Sequence, residues 1–470
     1  MSAADPLAIA RAALAGREAW LVGGAVRDRL LGRVVAAPDL DLAVPGDVEA
    51  AARTLARAGR AAVFPLSEDF GAWRVVQNHD GWQVDLSPLL GETIEQDLTQ
   101  RDFTVNAIAE PLAGGEPVDP TGGRADLAAG RLRMASATAF SADPLRVLRV
   151  ARFACELALE PEAGTIAAAR DAAHGLTGVA PERVFYELKR IVASPDPVGG
   201  IAALDCTSAT AVVLPELHAL AGVEQSAYHH LDVRDHTLAV LAETVALERD
   251  PAAALGEEHA EAVAALLAEP LADELTRGVA LRFGALFHDI AKPQTRGVTD
   301  DGRISFFGHD AAGADVARGV LARLHASEKL RAHVAALARH HLRAGFLVRE
   351  RPLPARTVYR YLKACEPVEV DVTLLSVADR LATRGRKAEE AIAKHLELVG
   401  ELLGPALAWR AEGPPAALIR GDELAEALGI ERGPQLGTLL AELEEAAYAG
   451  EISTREQAVG HARRLLEAGG

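Results

Sequence analysis

An apolar strand that runs into two glycines and is followed by a pair of aspartates constrains this chain more than any other feature. Residues 19–22, Ala-Trp-Leu-Val, have the pattern of a buried strand and lead directly into Gly23 and Gly24. Glycine lets the backbone approach a ligand closely, and amide groups at the start of the next helix are suited to phosphate oxygens. Arg27, one turn into that helix, is predicted to clamp a triphosphate with its forked guanidinium.

Residues 39–44, Asp-Leu-Asp-Leu-Ala-Val, alternate polar and apolar side chains, which is typical of a half-buried strand. Asp39 and Asp41 are two positions apart, so both side chains leave the same face of that strand. Two carboxylates on one face suit a pair of hard cations such as Mg²⁺, which together promote in-line attack of a hydroxyl on phosphorus. Asp85, on a separate predicted strand, is expected to be a third carboxylate beside them. The candidate catalytic residues are therefore Asp39, Asp41 and Asp85.

The order of the predicted elements indicates an α+β fold, with a small α/β head followed by a mostly helical body. At 470 residues the chain exceeds the size that one hydrophobic core usually organises. Strand patterns precede residue 140, and helical periodicity prevails from Asp143 onward. The expected domains are a head over residues 1–140, a helical neck over 141–225, a histidine-rich block over 226–400 and a helical tail over 401–470.

Composition limits the cellular setting more than it limits the partner. The formal net charge of −18 is only a weak argument against nucleic acid, because phosphate contacts need no more than a local basic surface. The three cysteines stand far apart without a CxxC pair, which fits a reducing cytoplasm. Neither a signal-peptide pattern nor a run of about 18 apolar residues is present. We therefore expect a cytoplasmic protein without a membrane span, and the sequence leaves its oligomeric state open.

Further motifs follow in an order that resembles class II tRNA nucleotidyltransferases (CCA-adding enzymes) and the related bacterial poly(A) polymerases. After the Gly-Gly and Asp-x-Asp motif come residues 101–107, 119–127, 143–153 and 181–189. The resemblance implies a polymerase-β-like nucleotidyltransferase head that adds C or A from CTP or ATP to the 3′ end of tRNA. It also implies Mg²⁺ at the transferase site and release of pyrophosphate. By the resemblance, the nucleotide-binding residues are Gly23, Gly24, Arg27, Asp28, Arg101, Asp102, Asn106, Asp143, Arg146 and Arg149.

Asp143 and Arg146 offer a physical account of base selection. They are three positions apart, and on a helix such residues are neighbours on one face. A carboxylate only accepts hydrogen bonds, and a guanidinium only donates them. Cytosine and adenine both present an amino donor beside a ring acceptor, whereas uracil and guanine present a carbonyl where the carboxylate needs a donor. The pair therefore predicts CTP and ATP as substrates without a template.

The sequence departs from the family pattern in three places. Ala142 and Gln100 stand where the family usually has a glutamate and often has a second arginine. The segment between Asp85 and Asp97 is shorter than the flexible loop that members adding the complete CCA usually carry. We therefore hypothesise that this chain adds CC and leaves the final A to another enzyme.

Histidines and aspartates in the histidine-rich block form a second pattern, which resembles the HD phosphohydrolase superfamily. Imidazoles and carboxylates on several helices are able to converge on one or two divalent ions, whose identity the sequence leaves open. The resemblance implies hydrolysis of a phosphate ester by metal-activated water. A 2′,3′-cyclic phosphate or 3′-phosphate on damaged tRNA is the expected substrate. The implied metal ligands are His236, His288, Asp289 and Asp379, with His309 and His340 at a second position and Lys292 contacting a phosphate.

Two other interpretations stay open at this point. Poly(A) addition ranks lower because bacterial poly(A) polymerases of this family usually lack the histidine-rich block and carry a basic C-terminal tail, which this sequence does not show. A nucleotide phosphohydrolase whose head binds nucleotides without transferring them is disfavoured by the intact set of Asp39, Asp41, Asp143 and Arg146.

Overall fold

A computed structural model describes residues 5–33, 39–67, 71–77, 81–225, 230–385 and 387–468. The chain divides into two compact units, residues 1–213 and 214–470. The first contains a sheet with helices around it, and the second is almost entirely helical. The α+β class is therefore confirmed, whereas the finer division into four domains stays a prediction.

The first unit contains the predicted strands and the helices that connect them. Its helices are α1 Pro6–Ala13, α2 Gly24–Leu30, α3 Val48–Gly59, α4 Ile94–Thr99, α5 Gly123–Ala128, α6 Ala139–Ala142, α7 Arg146–Leu157, α8 Ala163–Ala172, α9 Pro181–Ala193, α10 Pro197–Cys206 and α11 Ala209–Val213, with 3₁₀ turns at Thr104–Asn106 and Ala173–Gly178. Its strands are β1 Trp20–Val22, β2 Asp39–Ala43, β3 Ala62–Ser67, β4 Ala72–Gln77, β5 Trp82–Ser87, β6 Ala109–Pro111, β7 Arg131–Leu132 and β8 Glu160–Pro161.

The main sheet of this unit has the strand order β3-β4-β5-β2-β1-β6. Strands β2 and β5 are parallel, and the other neighbouring pairs are antiparallel. Strands β4 and β5 pair as neighbours along the chain, and residues 78–80 between them lie outside the described residues. Arg74 is opposite Asp85 in that pairing, and Asp41 is opposite Asp85 in the parallel one. The sheet thus places these three charged residues side by side.

Strand β2 shows why the alternating sequence folds as it does. Leu40 and Leu42 are buried, whereas Asp39 and Asp41 are exposed on the opposite face. Helix α3 packs against β4 and β5 through an apolar stripe whose centre is the fully buried Leu55. Each fully buried leucine contributes about 1.5–3 kcal/mol to folding, so these side chains fix which face of β2 is left for chemistry.

Helices α7 and α9 are joined by buried charges. Glu187 of α9 accepts a hydrogen bond from Arg149 Nε at 3.1 Å and another from Arg152 Nε at 2.5 Å. Glu156 of α7 in turn accepts from Arg152 Nη1 at 3.1 Å and from Arg190 Nε at 2.8 Å. A buried charge that loses its partner is costly, so this alternation of signs holds the two helices in one arrangement.

The second unit is a stack of helices with short two-stranded ribbons. Its helices are α12 Pro215–His218, α13 Val233–Arg249, α14 Pro251–Leu255, α15 Ala260–Ala268, α16 Arg277–Phe287, α17 Lys292–Thr295, α18 His309–Arg323, α19 Glu328–His340, α20 Arg343–Leu347, α21 Ala355–Cys365, α22 Glu369–Ala382, α23 Ala388–Glu412, α24 Gly421–Leu428, α25 Pro434–Tyr448 and α26 Arg455–Ala468. Its strands are β9 Pro270–Ala272, β10 Leu275–Thr276, β11 Gly297–Val298 and β12 Ile304–Ser305.

Helix α16 is the centre of this unit and is buried along its whole length. It packs against α13, α19 and α22. Its one end is fixed by Arg277, whose Nε donates to Asp371 Oδ1 at 2.8 Å within the core. Its other end leads directly into His288 and Asp289. None of the described helices is both long enough and apolar enough to cross a membrane.

We predict that Glu187→Ala lowers the free energy of unfolding of the first unit by about 1.5–3 kcal/mol, because Arg149 and Arg152 lose the buried carboxylate that they share and keep only their second partners. Urea denaturation of the full chain measures this loss. Glu182→Ala on the exposed face of the same helix is the control and is expected to cost less than about 1 kcal/mol. Equal losses in the two variants would contradict the importance of the buried charges.

Candidate active sites

The candidate transferase site is built on the exposed face of β2. Asp39 and Asp41 leave that face, and Asp85 lies beside Asp41 on the parallel strand β5. The pKa of Asp41 is raised to about 6, first because protein surrounds its carboxylate and next because of the charge on Asp85. The residue is nonetheless exposed, so a cation can reach it. Because a divalent ion relieves repulsion between neighbouring carboxylates, the residues fit a metal site.

Asp85 has a partner that the sequence did not suggest. Arg74 on β4 donates to both of its oxygens, from Nε and from Nη2, at 2.8 Å each. This pair raises the pKa of Arg74. Asp85 can act as a third metal ligand only if it shares an oxygen with Arg74 or releases it, so its expected role stays a prediction.

Gly23 closes the site at the end of β1. Its φ is +71°, and a Cβ built there would lie 3.3 Å from Asp41 Oδ2 and 3.6 Å from Arg101 Nη1. Arg101 is itself oriented by Asp97, whose Oδ2 accepts from Arg101 Nε at 2.9 Å. A side chain at position 23 would therefore be strained and would crowd both the candidate metal-binding carboxylate of Asp41 and the guanidinium of Arg101.

A hydrogen-bonded network forms the floor beneath this site. Arg27 donates from Nε to Asp28 Oδ1 at 2.9 Å and from Nη1 to Asn106 Oδ1 at 2.8 Å. Asn106 Nδ2 donates to Asp102 Oδ1 at 3.0 Å, and Arg149 Nη1 donates to Asp102 Oδ2 at 3.0 Å. Burial opposes ionisation of Asp102, but the charge of Arg149 and the hydrogen bonds from Asn106 and the Phe103 amide together outweigh it, and the pKa of that carboxyl lies below its usual range. Arg27 and Arg149 are thus built into the floor, and their direct contact with nucleotide stays a prediction.

Asp143 and Arg146, the pair expected to select the base, are arranged differently from the expectation. Asp143 precedes α7 with extended backbone, because the residue before a proline disfavours helical geometry. Its Oδ1 accepts from Leu145 N at 3.1 Å, and its Oδ2 accepts from Arg183 Nη2 at 2.8 Å. Arg146, the first residue of α7, donates to backbone carbonyls, including Gln100 O at 3.1 Å. The expectation that both residues share one helix face is therefore wrong. Burial lowers the pKa of Arg146, and the negative charge of Asp143 opposes that shift.

The second candidate site lies where α13, α16, α18, α19 and α22 present histidines and aspartates to one another. His236 Nε2 is 3.1 Å from Asp379 Oδ1 and 3.8 Å from Asp289 Oδ2. His288 Nε2 is 3.1 Å from the same Asp289 oxygen. Nitrogen and oxygen atoms of His236, His288 and Asp289 are close enough together to hold one metal ion. The structure thus brings together the four residues that the sequence assigned to the first metal position.

The other oxygen of Asp289 faces a second group. Asp289 Oδ1 is 3.4 Å from His309 Nε2 and 3.7 Å from His341 Nε2. His341, and not His340, therefore lies with His309 and Asp289 in the second group. The expected ligand role of His340 is wrong by one residue. His340 is half-buried outside the group, and its Nδ1 accepts from Arg343 Nε at 2.9 Å. Asp289 is placed to bridge two ions, because it belongs to both groups.

The ring orientation of these histidines suits metal binding. A backbone carbonyl can only accept, so a ring Nδ1 that contacts one must carry the proton, which leaves the Nε2 lone pair for a metal. Burial and the nearby His288 lower the pKa of His341 to about 4, so that ring is neutral at pH 7. The contacts are His288 Nδ1 to Ala285 O at 2.8 Å, His309 Nδ1 to Phe306 O at 2.6 Å and His341 Nδ1 to Ala338 O at 2.7 Å.

Lys292 lies beside Asp289, the carboxylate common to both candidate metal groups. Its Nζ is 2.6 Å from Asp289 Oδ2 and donates to Gln225 Oε1 at 2.6 Å. Burial opposes ionisation of Asp289, but His288 and Lys292 outweigh it and hold its pKa well below the usual range. Lys292 thus helps to keep the bridging carboxylate charged, and its contact with a substrate phosphate stays a prediction.

Three contacting residues were missed in the sequence. The signal for Arg74 is its position opposite Asp85 in the pairing of β4 with β5. That position can be read from the sequence only if the turn between the two strands is known. Glu187 lies in a motif that was recognised, but its burial depends on how α9 packs on α7. His341 follows Val334 and Leu337 at helical spacing, and all three lie on the buried face of α19. This spacing is the signal that favours His341 over His340.

We predict that Gly23→Ala reduces nucleotide incorporation by roughly 10- to 100-fold, because it displaces Asp41 and Arg101 from their positions. Gly32→Ala is the matched control, since Gly32 has a φ of +67° but a methyl group added there would meet nothing within 4 Å. Both variants carry similar backbone strain, and steady-state kinetics separates them. An equal loss in both would show that strain alone matters.

We predict that His341→Ala weakens binding of a divalent metal at the second position by at least about 10–100-fold, because it removes a ligand and not an outer partner. His340→Ala is expected to bind metal as the unmodified chain does. Equilibrium dialysis with Mn²⁺ or Ni²⁺ and elemental analysis give affinity and stoichiometry. Loss of metal in the His340 variant alone would overturn the assignment.

Comparison with known protein families finds matches in both units. The family described as "Poly A polymerase head domain" matches residues 19–88 and 74–133. The family described as "Probable RNA and SrmB- binding site of polymerase A" matches residues 158–220, and the family described as "HD domain" matches residues 256–384. His236 precedes the matched part of the HD domain, yet the fold brings it to the same site.

Relatives of known activity match along nearly the whole chain. An A-adding tRNA nucleotidyltransferase of Deinococcus radiodurans is 36% identical, with 96% of each chain covered. A CC-adding tRNA nucleotidyltransferase of Thermus thermophilus is 34% identical, with 94% of this chain and 92% of the relative covered. A solved structure of a CCA-adding enzyme in an apo form has the same fold, with a TM-score of 0.65 at 18% identity, covering 98% of this chain and 95% of that one. By sequence and fold, the chain belongs to the tRNA nucleotidyltransferase family.

Proposed function

We propose that this protein adds cytidylate residues to the 3′ end of tRNA from CTP, with Asp39 and Asp41 as the ligands of Mg²⁺. The observation that carries the proposal is the exposed carboxylate pair of β2 beside Gly23 and Arg101. When bound, Mg²⁺ stabilises the charge that develops on phosphate during transfer. The 3′-oxygen of the tRNA forms a bond to the α-phosphorus, pyrophosphate departs, and the hydroxyl proton passes to solvent.

The chain's own residues supply binding and orientation. Arg101 lies beside Asp41, where a guanidinium suits a triphosphate. The floor network gives the nucleotide a rigid surface, and Asp143 and Arg146 stand next to it at the start of α7. Arg183 donates a hydrogen bond to Oδ2 of Asp143. In this proposal the base therefore binds to the acceptor positions of the carboxylate that Arg183 does not use.

The choice of CC addition rests on the segment between β5 and α4. Leu90 N donates to Asp97 Oδ1 at 3.0 Å, and Glu92 N donates to Gln96 Oε1 at 2.7 Å. Gln100, which replaces the arginine common in the family, also donates to Leu90 O. A short segment held by these bonds has little freedom to reshape the pocket between C and A.

Addition of A is the second candidate. It is favoured by the Deinococcus radiodurans relative, which adds A and matches 96% of this chain. Poly(A) addition has less support, because the relatives that match most of the chain act on tRNA by name. The two tRNA activities differ in the primer they extend, which makes them separable in one assay.

We expect CTP to extend tRNA that lacks all three terminal nucleotides, and ATP alone to add nothing to it. Product length on denaturing gels, with each triphosphate alone and both together, measures this. Asp39→Asn and Asp41→Asn are expected to abolish extension, because an amide does not replace an anionic metal ligand. A complete CCA product would refute CC addition, and extension only of tRNA ending in CC would favour A addition.

The second unit supports a separate proposed activity, hydrolysis of a phosphate ester at the terminal nucleotide of RNA. The supporting observation is the set of buried imidazole and carboxylate groups that Asp289 joins. A divalent ion there supplies a water of lowered pKa as the nucleophile. Phosphate cleared in this way from a damaged 3′ end would expose the hydroxyl that the transferase extends.

We predict that the protein hydrolyses adenosine 2′,3′-cyclic phosphate. The variant His288→Ala is expected to lose this activity, because the proposed metal site loses a ligand. Asp41→Asn serves as the control and is expected to retain this hydrolysis, since it lies in the other unit. Release of the opened monophosphate is measured by chromatography with Mn²⁺, Ni²⁺ or Mg²⁺. Absence of hydrolysis with every ion, or full activity in the His288 variant, would contradict the proposal.

A further inference from the structure

The open face of the main sheet continues past the candidate metal ligands to the edge strand β3. Asp41 on β2 is opposite Asp85 on β5, and Asp85 is opposite Arg74 on β4. Arg74 is in turn opposite Phe64 on β3. Because residues directly opposite each other leave the same face of a sheet, these side chains form one row across adjacent strands. The row therefore joins two carboxylates, a guanidinium and an aromatic ring.

The β3 end of this row is exposed, whereas the reverse face of the same strands is packed. Phe64 has 44% of its surface exposed. Val75 and Val84, which follow Arg74 and precede Asp85 in the chain, are fully buried on the reverse face, where α3 packs against β4 and β5. The ring of Phe64 thus belongs to the open face and contributes little to the core.

The edge of β3 is poorly suited to pairing with a further strand. Pro65 has no N–H to donate, and the pairing of β3 with β4 is irregular between Pro65 and Ser67. Both features disfavour the addition of a strand from a second copy of the chain. The exposed ring of Phe64 is therefore left for a ligand that lies on the face of the sheet.

The transfer reaction needs its two substrates on opposite sides of the carboxylate pair. Gly23, at the end of β1, and Arg101 lie close to Asp41, and β1 is next to β2 on the side away from β5. A triphosphate held there departs as pyrophosphate toward that side. In-line displacement places the attacking oxygen opposite the leaving oxygen. The 3′-oxygen of the RNA is therefore expected to arrive from the β5 side, where the row continues.

Arg74 and Phe64 have the chemistry that a terminal nucleotide needs. Arg74 uses Nε and Nη2 on Asp85, and its side chain is 29% exposed. A guanidinium has several N–H donors, so it is able to hold a carboxylate and a phosphate at once. Phe64 lies two strands beyond Asp85, at about 10 Å, a distance that an extended nucleotide spans. A phenyl ring stacks on any base, because every base has a π-face.

We propose that Phe64 and Arg74 form a primer surface that positions the 3′-terminal nucleotide of the tRNA. The base lies on the Phe64 ring, the phosphate of that nucleotide lies beside Arg74, and its 3′-oxygen points at the metal ligands Asp39 and Asp41. Both are positioning residues, since they hold the RNA and take no part in bond formation. The assignment rests on the proposed transfer reaction and supplies RNA contacts that this reaction needs.

Steady-state kinetics with tRNA and CTP varied separately tests Phe64. We expect Phe64→Ala to raise the KM for tRNA about tenfold and to leave the KM for CTP unchanged, because one stacking contact with RNA is lost. Phe64→Trp is expected to restore the KM for tRNA, since a larger ring stacks in the same way. The control is Phe307→Ala, which removes an exposed ring in the second unit and is expected to behave as the unmodified chain does.

Two outcomes of these kinetics would overturn the stacking role of Phe64. The first is an unchanged KM for tRNA in Phe64→Ala. The second is a raised KM that Phe64→Trp does not restore, because packing of the edge strand and not stacking would then be responsible. Thermal melting verifies that each variant is folded.

The salt dependence of tRNA binding in a metal chelator tests Arg74 without a metal at Asp85. The slope of log affinity against log salt concentration is expected to become shallower by about 0.7 in Arg74→Gln, because one contact with a single-stranded phosphate is lost. The control is Arg53→Gln, since Arg53 lies over the ring of Trp73 on the reverse face of β4. An unchanged slope in Arg74→Gln, or an equal change in both variants, would overturn the phosphate contact.

The primer surface and the proposed transfer can fail separately. Incorporation of CTP with an unchanged KM for tRNA in Phe64→Ala and an unchanged salt slope in Arg74→Gln would overturn the primer surface while the transfer stands. A failure of the unmodified protein to incorporate CTP would refute cytidylate addition. In that case a shallower salt slope in Arg74→Gln alone would still support the contact of Arg74 with RNA.

Discussion

The ion pair between the buried Asp102 and the partly buried Arg149 is the interaction on which the candidate transferase site most depends. Asp102 belongs to the segment that forms the floor, and Arg149 belongs to α7, which begins at Arg146, the residue proposed to contact the base. Through Asn106 the carboxylate is linked to Arg27 at the glycine turn, and through Arg149 it is linked to Glu187 on α9. The charges alternate along this path, so each buried group has a partner.

The same physical principle operates in the second unit with a different consequence. Asp289 is almost completely buried and is surrounded by His288, His309, His341 and Lys292. His288, His309 and His341 are tethered through Nδ1 to backbone carbonyls, so their Nε2 atoms are directed at the carboxylate. In the first unit buried charge orders a floor for binding, whereas here it prepares ligands for an ion.

Sequence patterns predicted the elements better than they predicted the contacts between them. Alternation in β2 and the glycine turn depend on neighbouring residues, so Asp39, Asp41 and Gly23 could be placed from the sequence. Asp143 was misplaced because Pro144 delays the helix, a local effect that the spacing argument left out. The Arg74 partner of Asp85 and the burial of Glu187 depend on pairing across the sheet and between helices, which no local pattern contains.

The claim that the Asp102–Arg149 pair positions the nucleotide site is tested most directly by a double-mutant cycle on kcat/KM for CTP. Asp102→Ala, Arg149→Ala and the double variant are compared with the unmodified chain, with folding checked by circular dichroism. If the two residues act as one unit, the loss of kcat/KM in the double variant is no greater than the loss in the more severely affected single variant. Multiplication of the two single losses in the double variant would contradict the account.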